Sequence, residues 1–454
     1  MTTKHRKIPP MLSSYNRQLR HFSPAAPFVG EYAPLGDKSL SHRALLFAAL
    51  AEGESEIRNF PASGVIFAMM RCLRALGVEC SLDEATHVLR VKGVGLRGFK
   101  DPEAPLDCGN SATTLRLLAG VLAGAGVTCT LTGTAGLCKR PMDRIVEPLR
   151  LMGAEITATN GCAPLTIRPA KLTGISYTLP VASAQVKSCL LLAGLYADAP
   201  TALLEPGPSR DHTERMLSAM GVQVRNVERP AYGAVMLPFA GTLKPLNLDL
   251  PGDISSAAFL LVRAILLPGS DFRIRNVCVN PTRTGLLEAL GDLGADLTFE
   301  REATLAGEPV ADLHIRHRAL PARTEPVVFE GERIVRMIDE LPALLIAATA
   351  APATTLLRDA AELRTKESDR IRLMVDGLRA FGLEVEEFPD GCRLVGRSAP
   401  LQPPVDPVRI HTAGDHRVAM CFALLATQTE AAVEIDDFDC VRESFPDFFA
   451  LCGL

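Results

Sequence analysis

The feature that most constrains this chain is one local pattern written five times: an apolar-periodic helix, a glycine, then an alternating strand. It reads Leu73-Arg74-Ala75-Leu76-Gly77-Val78-Glu79-Cys80, then Leu149-Arg150-Leu151-Met152-Gly153-Ala154-Glu155-Ile156, then Leu217-Ser218-Ala219-Met220-Gly221-Val222-Gln223-Val224. Two further copies are Leu290-Gly291-Asp292-Leu293-Gly294-Ala295-Asp296-Leu297 and Leu378-Arg379-Ala380-Phe381-Gly382-Leu383-Glu384-Val385. The marker glycines stand 76, 68, 73 and 88 residues apart. A glycine after a helix supplies the left-handed cap that turns the chain back, so the next strand returns against the helix it follows. A pair of strands follows each glycine, as in 383–388 and 392–395 around Pro389-Asp390-Gly391. Units of about 70 residues are too long for a simple solenoid and imply α/β units packed into globular lobes. The stretches without the pattern, near residues 20–36 and 240–256, are the expected hinges, with Pro251-Gly252-Asp253 as the second crossing.

With 454 residues, 47% of them hydrophobic, the chain can bury one or two large cores. Its 48 basic and 52 acidic residues leave a net charge of −4, so no bulk field draws nucleic acid or an anionic membrane. Tryptophan is absent and 5% of residues are aromatic, which leaves no stacking platform for single-stranded nucleic acid. The 12 cysteines form no Cys-x-x-Cys pair and have no histidine at metal spacing, a pattern of reduced thiols in a cytoplasmic protein without a metal site. His314 and His317 lie in an alternating run and read as structural. The uncharged run at residues 341–357 contains two prolines and falls short of a membrane span. Residues 1–30 carry Lys4, Arg6, Lys7, Arg17 and Arg20 without an acid; lacking an apolar signal core, they read as a disordered arm, with a transit peptide as the alternative.

Charges gather where helices begin. Gly36-Asp37-Lys38-Ser39-Leu40-Ser41-His42-Arg43 leads into Ala44-Leu45-Leu46-Phe47-Ala48-Ala49-Leu50, with Gly53 beyond the end. Ser39 or Ser41 is the expected cap. A lysine ahead of that end, an arginine one turn inside and the unpaired N–H groups together make an anion site. Asp107-Cys108-Gly109-Asn110-Ser111-Ala112-Thr113-Thr114 repeats the logic, with Asn110 or Thr113 as cap. Lys139-Arg140-Pro141-Met142 sets cations before a proline-started helix running to Arg150. Ala182-Ser183-Ala184-Gln185-Val186-Lys187 and Ser209-Arg210-Asp211-His212-Thr213 are two more small-polar starts, the second capped by Asp211 or Thr213 with Arg210 on the loop. Ile338-Asp339-Glu340-Leu341-Pro342 embeds two acids in apolar sequence, costly to bury unless paired or functional. Lys366 and Arg370 stand four apart on one helical face, where like charges repel unless an anion lies between them. Gly414-Asp415-His416-Arg417 leads into Val418-Ala419-Met420-Cys421-Phe422. Each has an ordinary structural reading, but their recurrence at helix starts of a repeated fold points to a polyanionic ligand set.

In this order the segments resemble the 5-enolpyruvylshikimate-3-phosphate synthase family, from about residue 30 to the end. The resemblance implies an α/β fold of two lobes, an inside-out α/β barrel in which each lobe holds three βαβαββ units, with the active site in the cleft between them. Residues 1–35 would be an arm and strand joining the C-terminal lobe. Residues 36–252 would form the first lobe, mainly the shikimate 3-phosphate side, and 253–454 the second, carrying catalytic and phosphoenolpyruvate-binding residues. The implied reaction moves the enolpyruvyl group of phosphoenolpyruvate to the 5-hydroxyl of shikimate 3-phosphate through a tetrahedral intermediate, releasing phosphate, on the route to chorismate and the aromatic amino acids. A cytoplasmic monomer without metal or organic cofactor is implied. By resemblance, Lys38, Ser39, Arg43, Ser183, Ala184, Gln185, Arg210, Asp339 and Lys366 hold shikimate 3-phosphate. Lys38, Asn110, Arg140, Gln185, Arg370 and Arg417 hold phosphoenolpyruvate, and Ala112 lines its pocket. Asp339 assisted by Lys366 fits the base, and Glu367 with Lys38 nearby fits the acid.

Three positions depart from the family's pattern. Ser63 is followed by Gly64 and Val65 where members usually carry an acidic pair. Glu443 stands where some have a lysine, with Arg442 beside it as a substitute. Ala112 replaces a common glycine, and its methyl narrows the phosphoenolpyruvate pocket against glyphosate, the family's inhibitor. Alternatives are a paralogous enolpyruvyl transferase acting on another cyclic alcohol and an inactive scaffold homologue. The sister transferase acting on UDP-N-acetylglucosamine fits less well, since Cys138 lies two residues before Arg140 and position 135 is alanine, where that family has a cysteine.

Overall fold

The computed structural model describes residues 18–20, 27–227, 231–305, 307–397 and 399–454. The basic arm with Lys4, Arg6, Lys7 and Arg17 lies outside them, as does the Glu443 side chain. The repeat becomes a set of small mixed sheets, five of four strands and one of three. One unit shows the plan. Strand Leu106–Asp107 is followed by helix Ala112–Ala125, strand Cys129–Thr132, helix Asp143–Leu151 and the hairpin Glu155–Thr159 with Cys162–Arg168. The first two strands are parallel, and the returning strand of the hairpin pairs antiparallel beside them. All five marker glycines adopt φ between +80° and +100°, the left-handed region the pattern requires.

A sixth unit escaped the pattern because it has no hairpin. Its strands Val408–Ile410 and Val433–Ile435 flank helix His416–Ala426, and the third strand comes from Gln18–Arg20. Strand Val29–Tyr32 likewise pairs with Asp271–Cys278, while Asn247–Asp249 pairs with Glu52–Arg58. The chain therefore crosses between two sets of sheets twice, and the crossings run side by side. Asp37 N–H donates to Pro251 O at 2.8 Å, and Asp253 N–H to Leu35 O at 3.0 Å. Gly36 bridges Gly252 here, and a Cβ on Gly36 would lie 2.6 Å from both Asn59 O and Leu250 Cβ. No side chain fits at that crossing.

Buried apolar residues form two clusters. The first core draws on residues 40–250 plus Cys278; the second draws on Phe28 and residues 254–452. Each has three helices buried on nearly every side: Lys38–Leu50, Ala112–Ala125 and Ala184–Gly194 in the first, and Ile254–Leu266, Leu341–Ala348 and His416–Ala426 in the second. Helices such as Gly64–Ala75 and Asp143–Leu151 bury one face only. No sheet among the described residues closes on itself, so the expected barrel is a group of separate sheets with helices at the centre. The uncharged run 341–357 divides into helix Leu341–Ala348 and strand Thr354–Leu357. No helix among the described residues is long and apolar enough to cross a membrane.

Candidate active site

All six buried helices direct their N-termini at one cavity between the cores. Its lining includes Lys38 and Ser39, Thr113, Ala184 and Gln185, Asp253 and Ser255, Asp339, and His416 and Arg417, each at or just before a first turn. The positive ends of six helix dipoles thus converge, with side chains capping four of the mouths. Nine Lys and Arg side chains face five carboxylates in this lining, so the cavity is built for anions.

The second core supplies most of the acids. Asp339 receives Arg210 NH2 at 2.5 Å, Arg370 NH1 at 3.5 Å and Lys366 Nζ at 3.7 Å, while Arg417 NH1 donates to its carbonyl at 2.9 Å. Burial would raise the Asp339 carboxyl, but Lys366, Arg210, Arg417 and Arg370 hold it well below the usual range. Glu367 meets Arg370 NH2 at 2.7 Å and Arg140 NH2 at 3.5 Å. Burial opposes its ionisation too, and Arg370 and Arg140 overcome it, so this carboxyl also sits well below its ordinary pKa. One guanidinium, that of Arg370, bridges both carboxylates and is anchored behind by Asp415 at 2.8 Å. Burial lowers the Lys38 pKa, and Arg417 adds to the effect, while Glu367 and Asp339 oppose it.

Local sequence explains most placements, with corrections. Asp37, not Ser39 or Ser41, caps the Lys38 helix: its Oδ1 accepts from Ser39 N–H at 2.7 Å and Leu40 N–H at 2.9 Å. Gly53 is no cap there, because the helix passes directly into strand Glu52–Arg58. Ser111, not Asn110 or Thr113, caps the Ala112 helix. The helix after Arg140 begins at Asp143. Lys366 and Arg370 do not share a helical face, since Lys366 ends a 3₁₀ turn and Arg370 begins the next helix; they meet through Asp339 instead. Asp211 stands at the cap position of helix His212–Ala219, but its carboxylate is turned elsewhere.

Lys38, Ser39, Ser183, Ala184, Gln185, Arg210, Arg140, Asp339, Lys366, Glu367, Arg370 and Arg417 all line the cavity. Ser183 makes no capping bond, so its hydroxyl is not committed to the helix it precedes. Gln185 donates to Thr113 Oγ1 at 3.1 Å and accepts from Arg116. Asn110 faces an adjoining opening shared with Arg140, Lys366 and Glu367. Ala112 is buried in its helix's first turn and does not reach the lining. Arg43 turns away into the first core, donating to Thr213 Oγ1 at 2.8 Å, Ser188 Oγ at 2.7 Å and Ser39 O at 2.9 Å. Ser63 caps helix Gly64–Ala75 by position only and lines a small cavity behind Lys38. Arg442 points at Asp439, outside the cleft lining.

Sequence reasoning missed Arg116, Arg144, Asp253 and Arg283. Asp253 follows the rule used elsewhere, a polar residue opening an apolar helix. It caps both Ser255 N–H at 2.7 Å and, across the cores, Lys38 N–H at 3.2 Å. Arg283 carries no local signal. It is fully buried and pairs with Asp37 at 2.9 Å, beside Ser255 and Glu340.

Among known protein families, residues 23–451 match EPSP synthase (3-phosphoshikimate 1-carboxyvinyltransferase). The 3-phosphoshikimate 1-carboxyvinyltransferase of Alkalilimnicola ehrlichii is 47% identical over 95% of this chain and 94% of its own. That of Acidithiobacillus ferrooxidans is 48% identical over 94% and 95%. The solved EPSP synthase of Acinetobacter baumannii superposes with a TM-score of 0.84 at 40% identity, covering 96% of this chain and 98% of that one. The enolpyruvyl transferase NikO of Streptomyces tendae, at 16% identity and a TM-score of 0.73, shares the fold. This chain, with its six helix mouths and its bridged pair of carboxylates, belongs to the EPSP synthase (3-phosphoshikimate 1-carboxyvinyltransferase) family.

Proposed function

We propose that the cleft transfers the enolpyruvyl group of phosphoenolpyruvate to the 5-hydroxyl of shikimate 3-phosphate, with residues 36–252 and 253–454 closing as two lobes around both substrates. The observation that carries this reading is the meeting of six helix N-termini and nine cations around Asp339 and Glu367. Two phosphates and two carboxylates must lie close together before this reaction begins, and only such an excess of positive charge offsets their repulsion. Lys38, Ser39, Ser183, Ala184, Gln185 and Arg210 are the shikimate 3-phosphate side. Arg140, Arg370 and Arg417, with Lys38, are the phosphoenolpyruvate side. Asp339 takes the 5-hydroxyl proton as the oxygen bonds to C2 of phosphoenolpyruvate, and Glu367 gives a proton to the methylene carbon. In the elimination that carbon returns a proton, the bond to phosphate breaks, and phosphate leaves.

Glu367 is ionised at rest, so it must gain its proton on binding. A substrate phosphate occupying Arg140 and Arg370 removes the partners that depress its pKa and adds negative charge beside it, and both effects favour protonation. Excluding water on closure strengthens each of these interactions. The unpaired cysteines are consistent with a reducing, cytoplasmic setting. The test is phosphate release from phosphoenolpyruvate with shikimate 3-phosphate, with other cyclic alcohols, and with UDP-N-acetylglucosamine. Turnover with shikimate 3-phosphate alone supports the proposal; turnover only with another acceptor, or with none, ends it.

A further inference from the structure

We infer that a buried polar clasp between the cores, Asp211 and His212 on one side with Asn280 and Glu308 on the other, positions Arg210 and through it the shikimate 3-phosphate half of the site. This rests on the reading above that Arg210 holds that substrate. Arg210 lies directly before Asp211 and the helix His212–Ala219. Asp211 Oδ1 accepts from Asn280 Nδ2 at 2.7 Å, and its Oδ2 accepts from Arg215 Nε at 2.8 Å and Asn226 Nδ2 at 3.2 Å. Glu308 accepts from the same Asn280 amide at 2.7 Å and from His212 Nδ1 at 2.8 Å. Asn280 follows strand Asp271–Cys278 and Glu308 opens strand Glu308–Arg316, so both belong to the second core's sheet. Arg215 NH1 makes a further crossing contact, to Gly307 O at 3.1 Å.

His212, Asn280 and Glu308 are at most 1% exposed, so water does not compete for these bonds. Ligand atoms of Asp211, His212 and Glu308 lie within 4.8 Å of one another, the spacing of a metal site. The Asn280 amide, however, donates to both carboxylates and stands where a cation would bridge them. The cluster is a clasp, not a metal site.

The other flank of Arg210 is pinned to the first core. Lys187 Nζ reaches Ser209 O at 3.4 Å, and Ser209 N–H donates to Glu205 Oε1 at 3.3 Å. Held on both sides, Arg210 extends into the cleft to Asp339 at 2.5 Å and Ser39 Oγ at 3.4 Å, touching both walls. Its reach is set by the segment that carries it. A shift of that segment misplaces the cation without touching the phosphoenolpyruvate side.

The experiment compares Asn280→Ala, Arg215→Met and Glu308→Gln with wild type for both KM values, kcat, thermal midpoint and calorimetric affinity for shikimate 3-phosphate alone. Asn280→Ala raises the shikimate 3-phosphate KM about tenfold and leaves the phosphoenolpyruvate KM within about twofold. Arg215→Met moves it the same way by less. Glu308→Gln keeps an acceptor for His212 but sets an N–H against the Asn280 amide, and raises the shikimate 3-phosphate KM by less than Asn280→Ala does. Both KM values rising together, or neither moving in a folded variant, overturns the clasp. If Asn280→Ala does not fold, Arg215→Met decides by the same criterion. A wild type that binds no shikimate 3-phosphate overturns the substrate reading itself, a result distinct from normal wild-type affinity left unchanged by the variants.

Discussion

The two cores follow one plan yet present unlike walls to the cleft. The first core contributes Lys38, Arg116, Arg140, Arg144 and Arg210 but a single carboxylate, Asp37; the second contributes Arg283, Lys366, Arg370 and Arg417 together with Asp253, Asp339, Glu362 and Glu367. Asp37 is already committed, capping its helix with one oxygen and holding Arg283 with the other. The first wall is therefore equipped to bind anions, and no lining acid there is free to move a proton. The second wall binds and also carries the two carboxylates whose ionisation a ligand can change. A repeated helix mouth supplies charge, and what stands beside it decides whether that charge grips or reacts.

The largest effect separates the walls by chemistry. Asp339→Asn and Glu367→Gln each lower kcat by roughly 10³-fold, within the range for removing a general acid or base. Ser183→Ala and Gln185→Ala chiefly raise KM, by about tenfold for a lost hydrogen bond. Steady-state phosphate release measures both, and equal losses of kcat from the two walls would erase the contrast. The next effect separates them by stability. Arg370→Met leaves Asp415, fully buried, and Glu367 without their principal partner, which costs about 3–5 kcal/mol in urea unfolding. Arg116 is also buried, but its partners are the neutral Gln185 side chain and the Pro141 carbonyl, and burial lowers its pKa to about 10. Arg116→Met therefore changes stability by less than about 1 kcal/mol while weakening anion binding. A large stability loss in Arg116→Met would show that this cation serves the fold.

A smaller change tests the phosphoenolpyruvate side of the first wall alone. Ala112 is buried behind the lining, so Ala112→Gly leaves glyphosate inhibition within about twofold. Inhibition about tenfold stronger in the glycine variant would put the methyl in the pocket. The last effect is one the walls share. His42 and His416, one from each core, are pushed down to about 3 by burial, and His42 Nδ1–H donates to Lys38 O at 2.8 Å. An unfolded histidine titrates near 6.5, so between pH 6.5 and about 3 the unfolded chain holds protons that the native chain does not. Stability accordingly falls as pH drops through this window, by up to about 1.4 kcal/mol per pH unit for each histidine. His416→Gln and His42→Gln should each flatten thermal midpoints measured from pH 7.5 to 5; an unchanged slope in both would mean other groups set it.

What was legible in the sequence was whatever is local. Lys38, Ser183, Gln185, Asp339 and Arg417 stand where a polar loop meets an apolar run, and that junction is the helix mouth that reaches the cleft. Arg43 misled because its helix is buried on all sides. One turn inside such a helix, a side chain finds Thr213 and Ser188 instead of solvent, and only tertiary packing decides that. Asp37 displaced Ser39 as cap because its carboxylate spans two amides while also meeting Arg283, a residue nearly 250 positions away. The sixth unit stayed hidden for the same reason, since its third strand is borrowed from the other end of the chain.

That borrowing has a consequence for how the protein is made. The strands Gln18–Arg20 and Val29–Tyr32 leave the ribosome well before their partners, Val433–Ile435 and Asp271–Cys278. At roughly 5–20 residues per second, the first strand waits about 20–80 s for its partner. Every strand of the first core's sheets has emerged once Asn247–Asp249 is made. Synthesis therefore delivers every strand of the first core before the second has half of its own, and the nascent chain must carry two unpaired edges while the second core is made.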